Sequence, residues 1–267
     1  MITSVSNPRV QALRKLAKRA FREQRRAFVV EGVQAIGEAL RSGTRVEEFW
    51  CTPKVGERRP DLLEAARDAG CEIVPASEQV ASYVTQTVTS QGALAVVGFA
   101  DVSLDDLMGR GPRLLGICYQ VRDPGNAGSV LRVADAAGAD GVVFTEGCVD
   151  VYNAKTVRSS AGSVFHVPHV RDASFSATAD ACRRAGIRMV GTDAGAEKTF
   201  EEVDLSGATA LVFGNEAWGL PGEAAECVDV LARIPIYGKA ESLNLATAVA
   251  LVMYEAARSQ RSTRRER

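Results

Sequence analysis

Five short apolar runs in the second part of the chain constrain its fold more than any other feature. They lie at Leu114–Tyr119, Gly141–Phe144, Met189–Gly191, Ala210–Phe213 and Ala232–Ile236. Because these runs do not alternate with polar residues, each predicted strand must be covered on both faces. Stretches of helical pattern separate them, and strands that alternate with helices form parallel sheets. We therefore predict an α/β unit with a parallel sheet over residues 114–267.

A smaller α/β unit precedes it and ends near Phe99, so we predict a first domain over residues 1–99. Its apolar strands lie near residues 28–30, 49–51, 73–74 and 94–97. Residues 8–22 are predicted to form one helix with a basic face. The polar stretch 100–113, with glycine and proline near its end, predicts a linker.

The last predicted helix, Leu243–Arg258, is apolar over most of its circumference. Such a helix must be buried on several sides. A terminal helix in a monomer usually covers only one face of a sheet. We therefore expect a homodimer in which a partner covers the rest.

The net charge of the 267 residues is −1, but both ends of the chain are basic. Eight lysines and arginines lie between Arg9 and Arg26, against the single acid Glu23, and five arginines lie between Arg258 and Arg267. This distribution is typical of a protein that binds a polyanion such as nucleic acid. The alternative is a solvated helix face and a frayed tail, and charge does not decide between them.

Composition argues against several other classes of protein. The six cysteines form no CxxC pair and only two histidines are present, so we expect neither a metal site nor a disulfide framework. The N-terminus has no apolar secretion core, and the longest apolar run, Leu243–Tyr254, is too short to span a membrane. We expect a cytoplasmic protein without membrane contact.

Three clusters of polar residues and glycine follow apolar runs, at Asp123–Gly128, Gly214–Pro221 and Ser242–Asn244. Ligands of open α/β sheets bind outside the carboxyl ends of the strands, so the three clusters predict one site. Asn126 and Ser242 are interpreted as N-caps of the helices that follow them. Asn244 lies in an apolar helix and needs a polar partner.

The chemistry of the individual clusters stays open at this point. Arg132 either points to solvent or binds a phosphate with its guanidinium. Glu216 is solvated, caps a helix or forms part of a site. A nucleotide-dependent oxidoreductase is disfavoured, because the chain contains neither GxGxxG nor a P-loop.

Together the clusters resemble the SpoU (TrmH-like) branch of the SPOUT RNA methyltransferases. The matching segments are Asp123-Pro124-x-Asn126-x-Gly128 with Leu131-Arg132-x-Ala134, Lys155-x-x-Arg158-x-Ser160-x-Gly162, Leu211–Glu216, Ile234-Pro235-Ile236 and Ser242-Leu243-Asn244. Near the N-terminus, Ser6-Asn7-Pro8 and Phe28–Gly32 are similar to the substrate-binding domain of the family. The resemblance covers essentially the whole chain.

The resemblance implies a C-terminal trefoil knot that holds S-adenosylmethionine, a homodimer, and methylation of a ribose 2′-hydroxyl in structured RNA. It favours ribosomal RNA, with transfer RNA as the alternative. A catalytically silent RNA-binding protein of the same fold is a further alternative, against which the presence of the pocket residues argues.

The resemblance also implies residue roles. The implied catalytic residues are Asn126, Arg132, Glu216, Ser242 and Asn244, the cofactor-binding residues are Gly214, Asn215, Ile234, Ile236 and Leu243, and the RNA-binding residues are Arg14, Lys15, Lys18, Arg22, Arg25, Arg26 and Arg158. Since a guanidinium stays protonated, we expect Arg132 to grip a phosphate and stabilise the developing alkoxide. A phosphate oxygen or Glu216 would accept the proton, and Arg158 would act within its own subunit or across the dimer.

Overall fold

The computed structural model describes residues 1–85 and 90–265, and the chain divides into two compact units. The N-terminal unit comprises Met1–Ala100 and Tyr152–Phe165, and the C-terminal unit comprises Asp101–Val151 and His166–Arg267. Tyr152–Phe165, which the sequence places in the second domain, therefore groups with the first. Within the described residues, no helix combines the length and the apolar character needed to cross a membrane.

The regular elements are numbered in chain order. The helices are α1 (Pro8–Lys15), α2 (Arg19–Arg25), α3 (Val33–Arg41), α4 (Pro53–Arg58), α5 (Pro60–Asp68), α6 (Glu78–Thr85), α7 (Leu104–Gly109), α8 (Pro124–Ala137), α9 (Ala154–Ser160), α10 (Phe175–Arg184), α11 (Gly222–Ala225) and α12 (Leu245–Arg265). The strands are β1 (Ala27–Glu31), β2 (Val46–Cys51), β3 (Glu72–Pro75), β4 (Ala93–Gly98), β5 (Leu114–Cys118), β6 (Gly141–Thr145), β7 (His169–Ala173), β8 (Arg188–Thr192), β9 (Thr209–Phe213) and β10 (Val230–Ala232).

The N-terminal unit contains a mixed sheet with the strand order β1-β4-β2-β3. Strand β4 is antiparallel to β1 and β2, whereas β2 and β3 are parallel. Every residue of β4 is buried, because it lies inside the sheet and both of its faces are covered. Helix α9 packs on β1, which explains why its segment belongs to this unit.

The single helix predicted over residues 8–22 is two helices, α1 and α2. Helix α1 ends at Lys15, and the last carbonyls of a helix lack partners within it. The Arg22 guanidinium donates hydrogen bonds to the carbonyl oxygens of Leu16 and Ala17, at 2.7 and 2.8 Å. The break therefore depends on a buried arginine that satisfies the carbonyls of the connection.

The C-terminal unit contains a parallel sheet with the strand order β10-β8-β9-β5-β6-β7. Strands β5, β6 and β9 are buried throughout, which confirms the predicted parallel sheet with two covered faces. The sequence pattern misses β7, because His169, Arg171 and Asp172 interrupt its apolar character. The run predicted as a strand over 232–236 is a strand only up to Ala232.

The stretch 100–113, predicted as a linker, contains helix α7. Ser103 caps this helix by accepting a hydrogen bond from the Asp106 N–H, and Leu107 is buried in the core of the C-terminal unit. Helix α7 is therefore part of the C-terminal unit and not of a linker.

Helix α12 begins at Leu245 and packs against α8 and the strands β9 and β5. Its inner face includes Val249, Val252 and Met253, all buried. Its outer face leaves Leu251 and Tyr254 exposed, at 51% and 52% of their surface. The helix is therefore covered on one side in the single chain, and an apolar strip stays open.

Candidate active site

The three polar clusters meet at one edge of the C-terminal sheet. The first cluster follows β5, the second follows β9, and these strands are parallel neighbours. Their carboxyl ends therefore lie side by side, which is where ligands of such sheets bind. The third cluster precedes α12, which packs on the same two strands.

A chain of hydrogen bonds joins the three clusters through side chains. The Asn126 Nδ2 donates to Glu216 Oε1 at 3.0 Å, and the Asn244 Nδ2 donates to Asn126 Oδ1 at 3.2 Å. The Asn244 Oδ1 accepts from the Ala246 N–H at 2.9 Å. A carboxylate can only accept and a backbone N–H can only donate, so both ends fix the orientation of the two amides. The structure thus brings Asn126, Glu216 and Asn244 together as the sequence predicts.

The Glu216 carboxylate is held at the N-terminal end of α8. It accepts hydrogen bonds from the backbone N–H groups of Arg122 and Asp123, at 3.3 and 3.2 Å. Partial burial raises the pKa of Glu216, but the hydrogen bonds from Asn126 and the backbone outweigh it, and the pKa lies below its ordinary value. Glu216 is therefore ionised at neutral pH and acts as a fixed acceptor.

Two capping predictions are wrong, and the correction explains why the amides are free to form this chain. Asp123, not Asn126, caps α8: its Oδ1 accepts from the Asn126 N–H at 2.9 Å, and Pro124 occupies the first helical position. Asn126 therefore lies in the first turn with its side chain free for the site. Asn244, not Ser242, caps α12, which begins three residues after Ser242.

The loop after β9 is rigid. Asn215 and Gly219 exchange two backbone hydrogen bonds of 2.9 Å, and the buried Asn215 side chain donates to the Gln120 carbonyl at 2.6 Å. The Asn215 Oδ1 also accepts from the Ala217 N–H at 2.8 Å. A Cβ on Gly214 would lie 2.3 Å from the carbonyl carbon of Gly219, so only glycine fits there.

A cavity of about 610 Å³ opens beside the hydrogen-bond chain, which is within the usual range for small-molecule sites. Nine of the ten predicted catalytic and cofactor-binding residues line it: Asn126, Gly214, Asn215, Glu216, Ile234, Ile236, Ser242, Leu243 and Asn244. Sequence reasoning missed further lining residues, namely Thr192, Asp193, Ala194, Ala217, Gly219, Ala232, Leu245 and Ala248. Thr192 ends β8 and Asp193 follows it at the same sheet edge, and that placement is the signal that could have found them.

The lining fits S-adenosylmethionine. Ile234, Leu243 and Ala248 form an apolar wall suited to a purine, whereas the carboxylates of Glu216 and Asp193 suit the positive charge of a sulfonium and an ammonium. When bound, this cofactor supplies an electrophilic methyl group.

Comparison with known proteins assigns the chain to a family. Residues 114–254 match the SpoU rRNA Methylase family. Residues 7–95 match the MRM3-like substrate binding domain. The chain belongs to the SpoU rRNA methylase family. It is an S-adenosylmethionine-dependent RNA 2′-O-ribose methyltransferase.

Relatives of this SpoU methylase match over nearly their full length. The 23S rRNA (guanosine(2553)-2′-O)-methyltransferase RlmP of Bacillus subtilis is 35% identical over 95% of this chain and 97% of its own length. The 23S rRNA (uridine(2479)-2′-O)-methyltransferase of Streptomyces viridochromogenes is 33% identical over 93% of this chain and 88% of its own. The structure of an AdoMet-bound rRNA methyltransferase from Sinorhizobium meliloti superposes with a TM-score of 0.88 at 31% identity, covering 96% of this chain and 97% of that chain.

Arg132 is the one predicted catalytic residue that does not line the cavity of the SpoU methylase. It lies on the exposed face of α8. Its side chain forms neither a hydrogen bond nor an ion pair with the part of the chain that the structure describes. The guanidinium is therefore free for an external anion, and its catalytic role stays a prediction.

The predicted RNA-binding residues of the N-terminal unit fall into two groups. Arg22 is 4% exposed and bonds to backbone carbonyls, so its position does not fit an RNA contact. Arg14 donates to the Tyr83 carbonyl at 2.8 Å and stacks on its ring, and Arg25 pairs with Glu47 and Glu48. These three cations are largely engaged within the protein.

The remaining cations are more accessible. Lys15 and Lys18 are exposed, and Arg26 is exposed although it stacks over the Phe99 ring. Arg158 is half-exposed, and its guanidinium lies 3.9 Å from the Glu31 carboxylate, beside a cavity of about 360 Å³ in the N-terminal unit. These four residues stay candidates for RNA contact.

Proposed function

We propose that this enzyme methylates the ribose 2′-hydroxyl of a nucleotide in the large-subunit ribosomal RNA. The observation that carries the proposal is the hydrogen-bond chain Glu216–Asn126–Asn244 beside the cofactor-sized cavity. Ribosomal RNA is supported by the near full-length similarity to relatives that are named as 23S rRNA 2′-O-methyltransferases. With this substrate, the cytoplasmic location expected from the sequence stays a prediction.

The cofactor would lie against the apolar wall, held by the backbone around Gly214, Asn215, Ile234, Ile236 and Leu243. The proposal includes the trefoil knot that the family resemblance implies. The return of α12 from the edge strand β10 to the central strands β9 and β5 supports it.

The residues at the mouth of the cavity would position the ribose. Because its pKa is lowered, the Glu216 carboxylate is a weak base, and we assign it the role of orienting Asn126. Asn126 and Asn244 would hold the ribose in line with the methyl group. The bound cofactor would supply its methyl group to the 2′-oxygen, with the sulfur as the leaving group, and the hydroxyl proton would pass to a phosphate oxygen.

Arg132 would bind the phosphate next to the target ribose and stabilise negative charge on the attacking oxygen. Its free, exposed guanidinium supports this role. Ser242, exposed at the cavity rim, would contribute a hydroxyl to the same pocket. The RNA would also contact Lys15, Lys18 and Arg26 on the N-terminal unit, and Arg158 on α9.

The active form would be a homodimer. The exposed strip of Leu251 and Tyr254 on α12 supports this proposal, because contiguous apolar surface on a terminal helix favours burial against a partner. Sedimentation of the purified protein tests it: Leu251→Lys should shift a dimer to a monomer, and a monomeric wild-type protein would contradict it.

The function is tested with purified protein, labelled S-adenosylmethionine, and ribosomal RNA from cells that lack the enzyme. We expect label in large-subunit RNA at one 2′-O-methyl site, mapped by resistance to alkaline cleavage, and none in transfer RNA. Arg132→Ala should lose methylation while keeping its affinity for the cofactor in calorimetry. Normal turnover by this variant would contradict the role of Arg132, and failure of the wild-type protein to bind the cofactor would favour a silent RNA-binding protein.

A further inference from the structure

Trp218 is a large, half-exposed aromatic side chain that lies outside the lining of the cofactor cavity. Its neighbours Ala217 and Gly219 both line the cavity, whereas Trp218 does not. Trp218 is 49% exposed, although it follows Glu216 of the active site by only two residues. The other tryptophan, Trp50, is 1% exposed, so the exposure of Trp218 is a local property of this loop.

Arg122 stacks on the exposed ring. Its guanidinium carbon lies 4.9 Å from the centre of the Trp218 ring, and its own backbone N–H donates to the Glu216 carboxylate. The two side chains come from different loops, one after β5 and one after β9. Both loops are tied to Glu216, so the pair is fixed next to the residues that would hold the ribose.

The loop that carries Trp218 is held by hydrogen bonds within the protein. The paired backbone bonds between Asn215 and Gly219 close it, and the Asn215 side chain anchors it to Gln120. A rigid aromatic surface binds a ligand without first losing conformational entropy. About half of the Trp218 surface is exposed to water, so the ring is accessible to a stacking partner.

We propose that Trp218 and Arg122 form a platform on which an unpaired base of the substrate RNA stacks beside the methylated ribose. This inference rests on the proposed function. An unpaired base offers a flat π-face for the indole ring, and its phosphate offers a negative charge for the guanidinium. The platform positions RNA and does not touch the cofactor.

Steady-state kinetics with large-subunit ribosomal RNA test the platform. Trp218→Ala should raise the KM for RNA about tenfold, in the range that stacking of one base contributes, with a smaller change in kcat. Trp218→Phe should restore most of the affinity and Trp218→Leu should not, because leucine is apolar but has no π-face. Cofactor affinity, measured by calorimetry, should be unchanged in all three variants, which also shows that they are folded.

Arg122→Ala should also weaken RNA binding and raise the KM for RNA. Its matched control is Arg183→Ala. Arg183 is an exposed arginine of the same unit that does not line the cavity, and among the described residues it pairs only with Asp180 on its own helix. Equal RNA affinity of the wild-type protein and Trp218→Ala, or of Trp218→Leu and Trp218→Phe, would overturn the platform.

Fluorescence separates this inference from the proposed function. RNA should quench the emission of the wild-type protein, and the quenching should disappear in Trp218→Phe, since only the buried Trp50 then remains. RNA that binds without any change in Trp218 emission would overturn the platform even if methylation is normal. A wild-type protein that binds and quenches but never methylates would keep the platform and overturn the proposed function.

Discussion

The polar residues of the cofactor cavity and the basic residues of helices α1 and α2 differ in how they are engaged. In the cavity, neutral amides and one carboxylate form a fixed chain from Glu216 to Asn244. In and between the basic helices, some cations are held within the protein, as Arg22 of α2 is, and others, such as Lys18 between α1 and α2, stay exposed. The hydrogen bonds of the amides have one orientation, which the backbone sets. Long cationic side chains instead pair with whichever acceptor lies within hydrogen-bond distance.

The largest effect is expected from Asn126→Ala, which removes the central link of the amide chain. It should lower kcat at least about a hundredfold, the usual cost of losing one positioned polar group at a reacting centre. Initial rates with saturating RNA and cofactor measure it. Calorimetry of cofactor binding serves as the control for folding. A decrease in kcat of less than a few fold would mean that the hydrogen-bond chain has no part in positioning the ribose.

Gly214→Ala comes next, because it forces the rigid loop to move. The added Cβ would meet the Gly219 backbone, which cannot give way without breaking the paired hydrogen bonds. Cofactor affinity should fall by about tenfold or more, since this loop forms one wall of the cavity. The matched control is Gly222→Ala, where a Cβ meets nothing within 4 Å and the residue does not line the cavity. If both variants bind the cofactor equally, this wall of the cavity does not depend on the close approach of the Gly214 and Gly219 backbones.

Arg22→Ala and Lys18→Ala compare a buried, hydrogen-bonded cation with an exposed one in the basic N-terminal segment. Loss of the Arg22 guanidinium leaves the carbonyls of Leu16 and Ala17 without these donors, so unfolding free energy should fall by about 1 to 3 kcal/mol. Lys18→Ala should leave stability unchanged and weaken RNA binding modestly, with a smaller salt dependence. Chemical denaturation and RNA titrations at several salt concentrations measure the two. Unchanged stability and weaker RNA binding in Arg22→Ala, with the reverse in Lys18→Ala, would identify Arg22 as the RNA contact.

The smallest effect is expected from pH. Since the pKa of Glu216 is lowered in the folded protein, its ionised form contributes stability that is fully present above the ordinary pKa and is lost as pH falls through the lowered value. Methylation rates between about pH 6 and pH 9 should therefore show no inflection from this carboxylate. The comparison of wild type with Glu216→Gln across this range identifies any inflection that belongs to Glu216. Such an inflection would restore Glu216 as the proton acceptor.

Sequence reasoning predicted the C-terminal sheet well because its strands are apolar on both faces, and burial leaves few other arrangements for such runs. It missed β7, where charged residues lie within a strand. It also interpreted Asn126 and Ser242 as caps, because cap preference is similar for Asp, Asn and Ser and the helix start depends on Pro124 and on the packing of α12. Asp193 was missed because no local pattern distinguishes a cavity carboxylate from a turn residue.

The sequence by itself determined most strands of the parallel sheet, the order of the three clusters and, through them, the family. Only the tertiary structure decided the contacts and exposure of the side chains: that Asn126 bridges Glu216 and Asn244, that Arg22 is buried while Lys18 is exposed, and that Trp218 is half exposed outside the cavity lining. The physical reason is the separation, along the sequence, of the residues that interact. Strand formation follows from the burial of neighbouring residues, whereas these contacts join residues as many as 118 positions apart and depend on how the elements pack.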